Sequence, residues 1–147
     1  MEPSENIVIR PLKFTDLEAV CRIDYSLLGK KRDVYWENRL EKAEVSGLPS
    51  LAAEVDGTVI GFIIGSSSGW EYGVPENVGW IDSMGVAGEW QDKGVSQLLF
   101  QKIYEIFKTV GVDKIYVFVD WKKWDILKFF DNMGFRRGDM VNFRLSL

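Results

Sequence analysis

The chain has 147 residues, 46% apolar and 27% charged, which fits a single globular domain over 1–147 with room for a real core. Its net charge of −4, with no lysine or arginine tract, disfavours nucleic acid as the main partner. It has no histidine and one cysteine, Cys21, which excludes Ser-His-Asp and Cys-His catalysis, histidine metal sites and an internal disulfide.

Proton transfer therefore falls to carboxylates, tyrosine, lysine, Cys21, backbone or water. No metal site is expected. No apolar run reaches the roughly 18 residues of a membrane span. The segment Met1 to Asn6 is polar and lacks the apolar stretch of a secretory signal, so the expected location is cytoplasmic. The mild acidity either serves solubility or draws in a cationic acceptor such as an amine. An aromatic content of 14% permits a homodimer surface.

Asn6 to Pro11 reads as a strand closed by a proline. Thr15-Asp16-Leu17-Glu18 has the capping-box pattern and opens a helix to about Leu28. Its apolar stripe is Leu17, Val20, Cys21, Leu27 and Leu28, and Asp24 falls inside it. A carboxylate there either lies at a wet stripe edge, or pairs with a neighbouring base, or, with Tyr25, meets substrate. The Lys30-Lys31-Arg32 cluster is either solvated or a contact for phosphate or an acidic substrate. A second helix runs from Asp33 to Ser46, with Val34, Trp36, Leu40 and Ala43 as buried candidates and Gly47 as its stop.

Leu51 to Val55 and Thr58 to Ile64 flank Asp56-Gly57, a type I′ hairpin signal. Ser66 to Asn77 reads as a loop carrying Trp70, Glu71, Tyr72 and Glu76. Val78 to Ala87 is a strand whose even positions are Val78, Trp80, Asp82, Met84 and Val86. Asp82 is the odd member, either a structural carboxylate or a base whose desolvation would raise its proton affinity.

This strand runs into the turn Gln91-Asp92-Lys93-Gly94-Val95-Ser96 and then a helix to Val110, with Val95, Leu98, Leu99, Ile103, Ile106, Phe107 and Val110 at helical spacing and Gly111 as its cap. Free amides at that helix start suit an anion such as phosphate. Neither the Gly-rich loop of nucleotide triphosphatases nor the dinucleotide fingerprint is present. Lys114 to Val119 reads as a strand buried on both faces. Trp121 to Met133 reads as a short helix ended by Gly134, and Phe135 to Arg137 with Val141 to Leu145 as a closing hairpin.

The run from Val86 to Ser96 resembles the acyl-CoA loop of the GNAT family of N-acetyltransferases, whose pattern is Val-x-Pro-x-x-Arg/Gln-x-x-Gly-x-Gly/Ala. Val86, Gln91 and Gly94 match, while Gly88 stands for the proline and Ser96 for the final small residue. Trp124 to Phe135 is similar to the family's later helix, with Gly134-Phe135 matching, Trp124 in place of its frequent Asn and Phe130 in place of its frequent Tyr.

The resemblance implies a mixed α/β sheet, splayed between strands 4 and 5 and flanked by helices on both faces. It implies acetyl transfer from acetyl-CoA to a primary amine of a small molecule or a protein. Met84, Gly85 and Val86 would then hold the pantetheine arm through their backbone, and Gln91, Asp92, Lys93, Gly94, Val95 and Ser96 the diphosphate, with Trp124 and Phe130 beside the cofactor. Asp82 is the implied base. Asp24, Tyr25, Trp70, Tyr72 and Trp80 are the implied acceptor contacts. Phe130 has no proton for the leaving thiolate, which leaves water, Tyr72, Tyr104 or Tyr116. It also keeps open the alternative of a catalytically weak acyl-CoA-binding regulatory module.

Overall fold

In a computed structural model the described residues are 6–46, 49–69 and 77–147, with the side chains of 45, 46 and 69 left aside. Glu71, Glu76, Trp70, Tyr72 and Gly47 lie outside them. Five strands and four helices follow in the order β1 (Ile7–Pro11), α1 (Leu17–Leu28), α2 (Asp33–Ser46), β2 (Ser50–Val55), β3 (Thr58–Gly69), β4 (Asn77–Val86), α3 (Val95–Thr109), β5 (Lys114–Val117) and α4 (Trp124–Asn132). The sheet order is β1-β2-β3-β4-β5. All neighbours are antiparallel except β4 and β5, which are parallel because α3 carries the chain back between them. The mixed, helix-flanked sheet is the expected architecture.

The two faces are covered by different helices. On one, Val95, Leu99, Phe100, Ile103 and Phe107 of α3 pack on Leu51, Ala53, Ile63, Ile81 and Val86. On the other, Val20 and Ile23 of α1 and Trp36 and Leu40 of α2 pack on Ala52, Val59, Phe62 and Ile64. Each fully buried Leu, Ile or Phe contributes about 1.5–3 kcal/mol. Two glycines let α3 sit close: a Cβ at Gly65 would meet Ile103 at 2.8 Å, and one at Gly79 would meet the Phe107 ring at 3.0 Å. That close seating fixes where the N-terminus of α3 lies relative to the end of β4.

Several expectations are corrected. The first helix is capped one residue later than the Thr15 box implies: Asp16 is its N-cap, and its carboxylate accepts the Lys13 N–H at 2.8 Å and two bonds from Arg10. Val34 is exposed, not buried. β3 runs on to Gly69, so Ser66, Ser67 and Ser68 belong to the sheet. β5 ends at Val117 and is only half-buried, because it is the last strand of its sheet.

The closing hairpin does not form. Among the described residues, 135–147 carry no strand, so the order ends at α4.

The even face of β4 is also broken. Ile64 faces Ser83 and Gly65 faces Ile81, so Asp82 is an extra residue in β4. Such a bulge reverses the alternation. Gly79 and Ile81 before it, and Met84 and Val86 after it, all face α3. Trp80 and Asp82 thus lie on the opposite face from Met84 and Val86.

Candidate active site

The site lies where β4 outruns β5. Their pairing covers Val78 to Ile81 against Lys114 to Val117 and stops there. From Ser83 to Val86, β4 keeps only its β3 partner among the described residues. One edge of this stretch therefore presents backbone groups without a neighbouring strand. A Cβ at Gly85 would meet the Phe62 ring at 3.0 Å and Leu27 at 3.2 Å, so the end of α1 lies against this open stretch.

The chain leaves β4 through Ala87 and a single 3₁₀ turn at Gly88–Trp90. Gln91 secures the turn: its side-chain Nε2 donates to the Val86 carbonyl at 3.0 Å, and its backbone N–H reaches Gly88 at 3.3 Å. Both donors are spent within the protein, so Gln91 positions the loop. Asp92 (φ 62°) and Gly94 (φ 82°) are left-handed, and Gly94 is the N-cap of α3. Left-handed residues at a turn gather successive N–H groups into an anion-binding concavity, and the helix dipole adds to it. Among the described residues, no acceptor engages the backbone N–H of Asp92, Lys93, Gly94, Val95 or Ser96. The Lys93 ammonium sits 5.2 Å over the Trp90 ring, which keeps one cation at the rim.

On the opposite face, Asp82 takes a hydrogen bond from the Arg39 guanidinium of α2 at 2.7 Å. Its side chain is 31% exposed, so the apolar enclosure expected around it is replaced by solvent and a guanidinium. Trp80 donates its indole N–H to Ser68 at 3.1 Å. Its ring lies 5.1 Å from Tyr116 and 5.4 Å from Phe118. A carboxylate and a three-ring aromatic wall therefore sit together where the two strands part.

Asp24 is buried and held by a two-pronged bond from Arg32 at 3.0 and 2.8 Å. Arg32 in turn stacks on Tyr35 and Trp36. That is the paired alternative for Asp24. The Arg32 bond outweighs burial and holds the Asp24 carboxyl below its ordinary value. A carboxyl lowered in the fold binds fewer protons than in the unfolded chain. Its stabilisation is full above the ordinary carboxylate range and fades as pH falls through the folded value. Asp24→Asn is therefore expected to lower the denaturation midpoint at neutral pH and to flatten its fall below about pH 4; parallel acid profiles for the two proteins would count against the pair.

Tyr25 is exposed on α1. Cys21 is pushed up to about 11 by burial and by nearby Asp33, so it stays a thiol at neutral pH. Trp124 is exposed at the start of α4, whereas Phe130 is buried between Phe129 and Phe135 at 5.1 and 5.0 Å. The structure does not bring these two side chains together. Tyr104 is exposed on α3 and pairs with Phe100, which leaves Tyr116 as the described tyrosine beside Trp80. Among the described residues no cluster of three metal-binding side chains occurs.

Arg39 went unread in the sequence. Its signal is position: it lies beside the Trp36, Leu40 and Ala43 stripe, at the border of the buried face of α2.

The model of the acetyltransferase (GNAT) family matches residues 14–135. No curated protein sequence matches. Among solved structures, the aminoglycoside N-acetyltransferase AAC(6')-Iy in complex with CoA aligns with a TM-score of 0.81 at 20% identity, covering 95% of this chain and 94% of its own. A possible acetyltransferase from Clostridium difficile 630 gives 0.80 at 18% identity, covering 97% and 99%. A ribosomal-protein-alanine N-acetyltransferase from Brucella melitensis biovar Abortus 2308 gives 0.78 at 19%, covering 96% and 99%. At these identities the likeness is one of fold. The family match spans most of the chain, including the split strand and the loop above it, and the chain belongs to the acetyltransferase (GNAT) family.

Proposed function

We propose that this protein is an acetyl-CoA-dependent N-acetyltransferase that acts by direct transfer on a primary amine, carried by a small molecule or a protein. The observation that supports it most is the adjacency of two unsatisfied backbone surfaces. One is the edge of β4 from Ser83 to Val86, which has no neighbouring strand on that side and whose Val86 carbonyl alone is taken, by Gln91; the other is the set of amides from Asp92 to Ser96. Their donors and acceptors fit an amide-bearing arm ending in a diphosphate. The fold likeness to a structure solved with CoA points the same way.

Met84, Gly85 and Val86 would line the arm through their backbone, Asp92 to Ser96 the diphosphate, and Lys93 one charge. Trp124 offers its ring face from α4. Phe130 contributes by packing behind this region. Trp80 and Tyr25 would border the acceptor, and Asp24 anchors the turn between α1 and α2; Trp70 and Tyr72, outside the described residues, stay acceptor contacts on the family resemblance alone.

Bound acetyl-CoA supplies an activated acyl carbon on a thiolate leaving group. Asp82 accepts the proton that the ammonium must lose, and Arg39 orients that carboxylate. A backbone N–H near Met84 to Val86 would meet the oxygen on which charge develops. Tyr116 is the candidate to meet the departing thiolate, because it stands beside Trp80, one pair before the strands part.

A second reading, acyl-CoA binding with little turnover, draws on Phe130, which is buried and has no hydroxyl. Calorimetry with acetyl-CoA and a thiol-release assay over a panel of amines test both. Binding with thiol release is the expected result. Binding without release for any amine favours the second reading, and no binding removes both. Tyr116→Phe is expected to lower kcat about a hundredfold, the low end of the usual range for a proton donor, with KM for acetyl-CoA kept. An unchanged kcat would hand the thiolate step to water.

A further inference from the structure

Ile81 and Val117 form the last pair between β4 and β5, so the next residue on each strand, Asp82 and Phe118, flanks the point of parting. The alternation of β5 runs on past that pair. Ile115, Val117 and Val119 join the apolar layer under α3, while Tyr116 and Phe118 meet Trp80 on the other face. Asp82 is on that same face, where Arg39 of α2 reaches it. Asp82 and Phe118 thus stand on one face of the sheet, on the two sides of the gap.

Phe118 is 74% exposed, but it is not an isolated surface ring. Its centroid lies 5.4 Å from that of Trp80 at a tilt of 36°, and Trp80 lies 5.1 Å from Tyr116 at 39°. The Trp80 indole is pinned by its bond to Ser68. Three rings tilted in this way form a row with one continuous apolar side. Such a row does not box in a cation from several directions, and the Arg39 guanidinium on Asp82 already repels a second positive charge there. Arg39 bonds Oδ2 of Asp82, and among the described residues no bond to Oδ1 is present. The gap therefore pairs room for one ammonium with a flat apolar surface beside it.

We propose that Phe118, with Trp80 beside it, selects an acceptor whose primary amine is joined by a short linker to a flat aromatic ring; this rests on the acetyltransferase reading above. The ammonium takes the Asp82 oxygen that Arg39 leaves, and the ring lies on Phe118 and Trp80. Neighbouring strands are about 4.8 Å apart before they part, so one or two carbons between amine and ring reach from one side of the gap to the other. Contact between rings adds roughly twofold to twelvefold in affinity beyond the apolar area buried. A linear diamine gains none of that, and its second charge meets rings on one side only.

Steady-state acetylation of phenethylamine and cyclohexylethylamine tests it, because the two differ in flatness and hardly in length or apolar area. The wild type should show a KM at least about threefold lower for phenethylamine. Phe118→Leu keeps an apolar side chain without a ring face. It should raise the phenethylamine KM about fivefold or more and bring the two amines level, with kcat and the affinity for acetyl-CoA kept. Phe118→Tyr should restore the preference. The ring is exposed, so thermal melts of both variants should match the wild type. Calorimetric titration of phenethylamine into protein loaded with coenzyme A reads the same contact without turnover. Binding that Phe118→Leu abolishes, in a protein that acetylates no amine, would remove the acetyltransferase reading and keep the ring site. Equal KM values for the two amines in the wild type overturn the proposal, as does a preference that survives Phe118→Leu. So does a lower KM for cadaverine than for phenethylamine, or a protein that neither acetylates nor binds phenethylamine.

Discussion

Gly94→Val is expected to weaken acetyl-CoA binding at least about a hundredfold, close to 3 kcal/mol, while the protein stays folded. Gly94 caps α3 at φ 82°, a region that costs an L-residue about 1–2 kcal/mol and is worse for a β-branched one. The space around it is open: an added Cβ would meet only the Gln97 side chain, at 3.9 Å. The substitution therefore disturbs the backbone and leaves the core alone. To relieve the strain, the turn must rotate its peptide groups, and the amides of Asp92 to Ser96 lose their common direction. Gly94→Asn separates conformation from bulk, because asparagine tolerates the left-handed region; it should keep most of the affinity. Calorimetry on the two variants, with thermal melts as a control, decides the matter. Val and Asn variants that both bind like wild type would remove the turn from the cofactor site.

That turn was readable because its signals are local. A glycine at the helix start and an uninterrupted apolar period over α3 need no tertiary context, and Asp56-Gly57 likewise takes positive φ at both positions, as the hairpin requires. The parting of β4 from β5 came from the family resemblance rather than from residue pattern. What was lost depends on pairing between distant segments. The bulge at Asp82 adds one residue and changes no composition, yet it sends Met84 to the face opposite Asp82. Arg39 shows no motif, because its meaning comes from a strand 43 residues away. The alternation after Gly138 is a sound strand signal that finds no strand partner among the chain's described residues. Periodicity reports which side of a segment is apolar, not which molecule covers it.

The bulge also sets the terms of the last experiment. Asp82→Asn should lower kcat at least tenfold, about 1.4 kcal/mol of transition-state stabilisation, and leave the affinity for acetyl-CoA intact. Asparagine still offers an oxygen to Arg39, so the local geometry is kept while the capacity to accept a proton at neutral pH is lost. Arg39→Met removes the partner and leaves the carboxylate. If Asp82 only ties β4 to α2, both variants should lose similar stability and neither should lose turnover beyond that. If it takes the proton of the ammonium, Asp82→Asn alone should carry the large kcat defect. That defect should also shrink as pH rises toward the amine's own value of about 10, where solvent delivers the free amine without help. A deficit that is constant across pH would mean that Asp82 places the acceptor instead of deprotonating it, and an unchanged kcat would leave it as the outer half of an ion pair.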